Sequence, residues 1–270
     1  MIPLLIPYWA PKVVNVGPVP IDPWATLVLI GLVVGLEISR ARGIKRGLEV
    51  PDVVDGAMFT VGMGFVVGHI MHVLAYNPER LETDGVMALV RVWQGFSSTG
   101  GFIGAVIGSV LFWRVIRPRD YFAHADTIMF AFPFAWVFGR LGCFAAHDHI
   151  GRSSEFFLAV NFPLPTGPRH DLGLYEALWT VVISAVFFAL DRKPRKGGFY
   201  IALWAFLYAP ARFVLDFLRN EDLANSDVRW VGLTPAQWGM IVMFGAGAFL
   251  AFKLRGAPDS AGSSSAPASE

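Results

Sequence analysis

Seven stretches of mostly apolar residues, separated by short polar connections, dominate this sequence. Each is close to the roughly 20 residues that a helix needs to cross the hydrocarbon core of a bilayer. They run approximately over residues 24–39, 54–75, 92–113, 123–146, 173–190, 199–218 and 235–252. Composition agrees with a lipid solvent. Hydrophobic residues are 54% and charged residues 16%, against roughly a quarter charged in ordinary soluble domains. With 23 Phe and 9 Trp, the chain has too little charge to cover its apolar surface in water. That excludes a soluble enzyme and a disordered chain. A net charge of +1 offers no basic field for a phosphate backbone, so no nucleic-acid partner is expected. The single cysteine, Cys143, excludes a disulfide framework and a Cys-rich metal site. The expected fold is an all-α integral membrane protein of seven transmembrane helices, with one domain over residues 1–255.

The first 23 residues carry Lys12 and several prolines, with no basic stretch ahead of an apolar core. They are expected to form an interfacial segment rather than a cleavable signal peptide, anchored by Tyr8, Trp9 and Trp24. Residues 256–270 are small, polar and Pro/Ser-rich, and are expected to form a disordered cytoplasmic tail. Basic residues set the orientation. The first, third and fifth connections and the segment after the last span hold 13 Lys and Arg, and the opposite side holds 7. The amino terminus is therefore expected outside and the carboxyl terminus in the cytoplasm.

The remaining two basic residues, Arg140 and Arg212, fall inside spans four and six. An ionisable group there costs about 3 kcal/mol on insertion scales and is a functional candidate by default. At 1.5 Å per residue they lie roughly 25 and 20 Å from the cytoplasmic ends of their helices, both in the outer half of the bilayer. Guanidinium forks at matched depth suit a phosphate. The alternative is that each pairs with a carboxylate to hold helices together, and Asp216, at i+4 from Arg212, is placed to do so.

Other polar groups converge on the same level. Span four ends in GRLGCFAAHDHIGR, residues 139–152, with His147, Asp148, His149 and Arg152 at the outer edge. These suit acid–base work or phosphate contact, or simple interfacial solvation. A metal is not expected: His147 and His149 at i, i+2 do not share a helix face, and no third ligand is evident. Span three contains GFSSTGGFIGAVIG, residues 95–108, in which Gly100, Gly104 and Gly108 form a small-residue packing face. Gly100 and Gly101 at its outer end also allow backbone to approach a lipid headgroup. Span five opens with His170, Tyr175 and Glu176. His69 and His72, near the outer end of span two, are further candidates or simply solvated.

From the third span to the seventh, the chain resembles the prolipoprotein diacylglyceryl transferase family. The family stretch ADxxxxxxPxxxxxGRxGNFxNxExxGR is matched by Ala125, Asp126, Pro133, Gly139, Arg140, Gly142, Phe144, Gly151 and Arg152. HPSQLYEA is matched by His170, Leu174, Tyr175, Glu176 and Ala177. YGxxRFxxEFxR is matched by Tyr208, Arg212, Phe213, Asp216, Phe217 and Arg219, and GLTxxQ by Gly232, Leu233, Thr234 and Gln237. Several positions depart, four of them notable. Cys143 replaces the family's asparagine and Asp148 its glutamate; Thr99 replaces a span-three histidine, and Ala25 aligns loosely with a tyrosine.

The resemblance implies transfer of the diacylglyceryl group of phosphatidylglycerol to the lipobox cysteine of a prolipoprotein, in the bacterial inner membrane and without a cofactor. It implies Arg140, Arg212, Asp148, His147 and His149 as catalytic groups. Thr99, Gly100, Gly101, Cys143, Gly151, Arg152, His170, Tyr175, Glu176, Tyr208 and Asp216 become substrate-binding candidates. The expected partners are an anionic phospholipid and the signal peptide of the acceptor. The departures at Thr99 and Cys143 are expected to lower turnover. They leave open transfer to a different acceptor, or a non-catalytic lipid-binding protein of the same fold.

Overall fold

The computed structural model describes residues 5–17, 19–92, 95–223, 226 and 229–256. Apart from Gly256, the expected tail lies outside them. Among the described residues, seven helices are long and apolar enough to cross a membrane. They are α1 (Pro23–Lys45), α2 (Val50–Met71), α5 (Ser98–Leu111), α6 (Tyr121–Ala146), α7 (Leu172–Leu190), α8 (Phe199–Leu215) and α9 (Pro235–Gly256). Short helices α3 (Glu79–Asp84) and α4 (Met87–Val90) connect α2 to α5. Leu29, Val33, Val106, Phe188, Val242 and Phe249 are exposed on the bundle, as lipid contact requires.

Two boundaries differ most from expectation. The first helix runs past residue 39 to Lys45 because its charges find partners: Arg40 pairs with Glu37, and buried Arg42 pairs with Asp191 at 2.5 Å. The third span begins at Ser98 rather than residue 92. Gly95 has φ +124°, which breaks helical geometry, and the Ser97 side chain then accepts from the Gly100 amide at 3.3 Å to cap the new helix. Trp93 and Gln94, within the expected span, lie outside the described residues.

Small residues set the helix spacing. A Cβ at Gly104 would lie 2.4 Å from the Met63 carbonyl oxygen, and one at Gly100 2.6 Å from Met71 Cβ. The glycine stripe of α5 therefore lies directly on α2, as its four-residue period predicts. An aromatic core of Phe130, Phe187, Tyr200, Trp204 and Tyr208 joins α6, α7 and α8.

The fold is not wholly helical. A four-stranded sheet, ordered β1-β5-β6-β4, covers the end where α6 stops and α7 starts. Its strands are β1 (Ile6–Pro7), β4 (Ile150–Ser153), β5 (Val160–Asn161) and β6 (Pro168–Asp171); β2 (Val14–Val16) and β3 (Val19–Ile21) form a separate hairpin. The amino-terminal segment thus contributes an edge strand, parallel to β5, rather than only an interfacial anchor. Trp24 packs against Gly142 of α6.

The opposite, basic end is tied by ion pairs. Asp52 receives Arg117 at 3.2 Å and Arg119 at 2.5 Å. Asp126, buried in α6, accepts from the Tyr200 and Ile201 amides at 2.7 and 3.2 Å. Gly198, which precedes α8, has no side chain to cap it, so a carboxylate from another helix takes the orphan donors. This gives the Asp of the ADxxxxxxP stretch a packing role.

Candidate active site

Arg140 and Arg212 come from the sheet ends of α6 and α8 and meet at Glu176 of α7. Glu176 Oε2 lies 3.1 Å from Arg140 Nε, and Oε1 lies 3.3 Å from Arg212 Nε. All three are buried. Tyr208 donates to Glu176 Oε2 at 2.7 Å and accepts from Arg140 Nη2 at 3.1 Å. The Arg140 guanidinium lies over the Trp136 ring at 4.6 Å, and Trp136 donates to the Tyr208 hydroxyl at 3.3 Å. Arg212 also reaches Asp216 at 2.7 Å. Asp216 in turn accepts from the Thr234 hydroxyl, where Thr234 and Gln237 form a reciprocal cap on α9. Four helices thus converge on one buried charge network.

The network is internally neutral, with two guanidinium groups against two carboxylates. The helix-joining reading of the arginines is therefore realised, and one carboxylate bridges both. Their donors are not all satisfied: Arg140 Nε and Arg212 Nη1 make ionic contacts without an aligned hydrogen bond. Arg140 Nη1 donates to the Cys143 sulfur, at 3.9 Å. Arg140 so links the buried network to the groups at the sheet end.

Those groups are placed by the way α6 stops. His147 adopts the left-handed conformation, φ +48°, and the Asp148 amide bonds back to the Cys143 carbonyl at 3.4 Å. This is a left-handed helix cap with histidine where glycine is usual. It turns Asp148 and His149 back over Cys143. Donor atoms of Cys143, Asp148 and His149 all lie within 4.8 Å of one another. His149 Nδ1 is hydrogen-bonded to Asp148. Burial opposes charge on His149, but the bonds to Asp148 and Cys143 prevail and its pKa is raised to about 9.

His147 serves the fold. Its Nδ1 bonds Asp171 at 2.7 Å and its Nε2 the Trp9 carbonyl at 3.0 Å. Both acceptors call for an N–H, so the ring is held as an imidazolium. Burial disfavours that charge, but the Asp171 bond outweighs it and raises the pKa. With both nitrogens occupied, His147 has no lone pair for a substrate proton. The Asp171 side chain also caps α7, accepting from the Leu174 amide at 3.1 Å. Asp171→Ala removes a cap and the hydrogen-bond partner of His147, so it is expected to destabilise the protein by about 2–3 kcal/mol. Denaturation in mild detergent, followed by tryptophan fluorescence, measures this.

The other expected site residues are distributed as follows. His170 and Tyr175 bond each other at 2.8 Å, and Tyr175 donates to the Leu158 carbonyl at 3.2 Å. They border an open apolar groove between α7 and α8, flanked by Leu178, Trp179, Pro210 and Val214. Thr99 is half-buried in the first turn of α5. Gly100 packs on α2, and a Cβ at Gly101 would lie 2.7 Å from the Phe96 ring. Gly151 lets β4 approach the Leu218 carbonyl, where a Cβ would lie at 2.6 Å. Arg152 is turned outward and pairs with Glu221 at 2.6 Å. His69 bridges the Gly95 and Ala88 carbonyls at 3.0 and 2.8 Å, and His72 contacts Asn77. Among the described residues, none of these contacts reaches the Arg140–Glu176–Arg212 network.

The family model for prolipoprotein diacylglyceryl transferase matches residues 11–253. The chain belongs to this family. The match takes in the first two spans as well as the third to seventh, over which the resemblance runs. Among similar relatives is a phosphatidylglycerol–prolipoprotein diacylglyceryl transferase of Chromohalobacter salexigens. It is 31% identical over 84% of this chain and 85% of its own length. One of the same name from Vibrio parahaemolyticus is 32% identical, covering 81% of each chain. Another from Nitrosomonas europaea is 28% identical over 96% of this chain and 95% of its own.

As a prolipoprotein diacylglyceryl transferase family member, the chain is a multi-pass membrane protein, and its arginine–tyrosine–glutamate network is built almost entirely from the motif positions. Three contributors were not singled out in advance. Trp136 lies in the wildcard part of a motif. Asp171 follows the motif histidine but acts through a turn. Arg169, which clamps the sheet to the α8–α9 connection through Asp222, lies just ahead of the motif.

Proposed function

We propose that this protein transfers the diacylglyceryl group of phosphatidylglycerol to the thiol of a prolipoprotein's lipobox cysteine, in the bacterial inner membrane. The observation that carries this reading is the buried pair Arg140 and Arg212 sharing Glu176, in a chain whose relatives bear that activity in their names.

The thiolate sulfur attacks the glycerol carbon that bears the phosphate. A C–S bond forms, the C–O bond breaks, and glycerol phosphate leaves with the electron pair. Charge builds on the departing phosphate oxygen, and preorganised donors in a water-poor site stabilise it most where they need no reorganisation. Glu176, Tyr208 and Trp136 fix Arg140 before any lipid arrives. Its Nη1, which reaches the Cys143 thiol, is a donor that a phosphate can take. The open apolar groove between α7 and α8, bordered by His170 and Tyr175, suits an acyl chain.

Placing this chemistry at the outer leaflet requires the sheet end to lie outside, as the basic asymmetry predicts. A cysteine introduced at Gly197, at the basic end, should resist membrane-impermeant thiol reagents in intact cells, in a Cys143→Ala background. Labelling there would reverse the topology. The function itself is tested by complementation of a strain depleted of its own transferase. The expected result is growth, with mass spectrometry showing a diacylglyceryl-modified lipoprotein amino terminus. Stable, membrane-inserted protein without that modification would refute the reading.

A further inference from the structure

The family's span-three histidine is Thr99 here, and His147 is bonded at both nitrogens. The reaction read above still needs a thiolate. A free thiol with pKa near 8.5 is only about 3% ionised at pH 7. The structure brings together a group suited to that task from residues with no such role in the network: Cys143, Asp148 and His149.

We propose that Cys143, Asp148 and His149 bind a zinc ion whose open fourth position takes the acceptor thiol. This rests on the transferase reading and deepens it. The donor set is one sulfur, one imidazole nitrogen and one carboxylate oxygen, a combination that suits zinc. Three protein ligands with an open position is the arrangement of catalytic rather than structural zinc. The donor atoms lie within 4.8 Å of one another. A tetrahedral ion with bonds of about 2.0–2.3 Å holds its ligands about 3.5 Å apart. Contraction by about an ångström is therefore needed, and Asp148, exposed on its outer side, and His149 can make it by side-chain rotation. The backbone is already set: the left-handed turn at His147 folds the two ligands onto Cys143, and the His149 carbonyl is anchored by the Leu172 amide at 3.0 Å.

The position is functional as well as the composition. Cys143 lies 3.9 Å from Arg140 Nη1, so a sulfur held on the ion stands beside the donor that receives the phosphate. On coordination the acceptor thiol gives its proton to water, because a coordinating thiol is deprotonated outright. The zinc-held sulfur then attacks the glycerol carbon, and the C–O bond pair leaves with glycerol phosphate. The product thioether is neutral and a weaker ligand than a thiolate, so it departs and leaves the site open.

The test uses the full chain purified in detergent, stripped with a chelator and titrated with Co²⁺ as a spectroscopic substitute for zinc. One cobalt per chain is expected, with a thiolate-to-metal charge-transfer band and the intense visible bands of tetrahedral geometry. Cys143→Ser should lose the charge-transfer band, and His149→Gln should weaken binding while retaining that band at saturation; a thermal melt verifies that each variant is folded. Stripping should slow transfer to a lipobox peptide at pH 7 by about thirtyfold, the gain in thiolate fraction forgone, and zinc should restore it. Failure of the folded wild-type chain to bind Co²⁺ through sulfur, or full-rate transfer after stripping, would overturn the zinc site and leave the transferase reading standing. Cobalt bound through sulfur by the stripped chain, with no transfer by the zinc-loaded chain, would support the metal site and overturn the transferase reading.

Discussion

Arg140→Ala is expected to lower turnover by at least about a hundredfold, the scale for losing one donor to a developing anion. The loss should fall mainly on kcat, because the charge Arg140 meets grows as the C–O bond breaks. Arg140→Lys should recover little. A lysine ammonium cannot bond Tyr208 and Glu176 in one plane while presenting a further donor toward Cys143, as the guanidinium does. Turnover within a fewfold of wild type in folded Arg140→Ala would assign this arginine to packing alone. Binding of phosphatidylglycerol, measured separately, distinguishes lost chemistry from lost lipid.

Glu176→Gln is expected to have the second large effect, on the fold first. The carboxylate holds Arg140 through one oxygen and Arg212 through the other, within a buried set that has no net charge. The amide keeps the shape but leaves a net positive charge in the bundle, and breaking a buried pair in this way costs about 3–5 kcal/mol. Reduced stability of that order should appear in denaturation curves. Any folded fraction should transfer slowly, because Arg140 loses its main orienting partner. Glu176→Asp should also fail: one methylene shorter, it cannot meet both guanidinium groups at once. Stability unchanged in Glu176→Gln would mean that the two arginines are compensated by other groups.

How much of this was legible in the sequence depends on the kind of signal. The seven spans are long, and lipid imposes the same requirement on every residue in them, so their existence was plain. Arg140, Arg212 and Glu176 were visible for the same reason, as ionisable groups where they are costly. That Glu176 bridges both arginines was not visible, because spacing along α7 says nothing about which helices face it. Tyr208 was marked only by the family motif; on its own it is one aromatic among many. The sheet was missed because strands of two to four residues contain no measurable period. His147 looked like an acid–base group by its company, and only the paired bonds to Asp171 and Trp9 give it a structural place. The Cys143, Asp148 and His149 cluster was hidden by the left-handed turn. In a continuing helix, residues five and six positions on would not lie over Cys143.

The central claim is tested most directly with the purified chain, zinc-loaded, in mixed micelles of phosphatidylglycerol and a synthetic lipobox peptide, with the peptide analysed by mass spectrometry. The account predicts a peptide heavier by one diacylglyceryl group on its cysteine, glycerol phosphate released in equal amount, and no product from a Cys→Ser peptide. Unmodified peptide after prolonged incubation with folded, lipid-bound protein would contradict it.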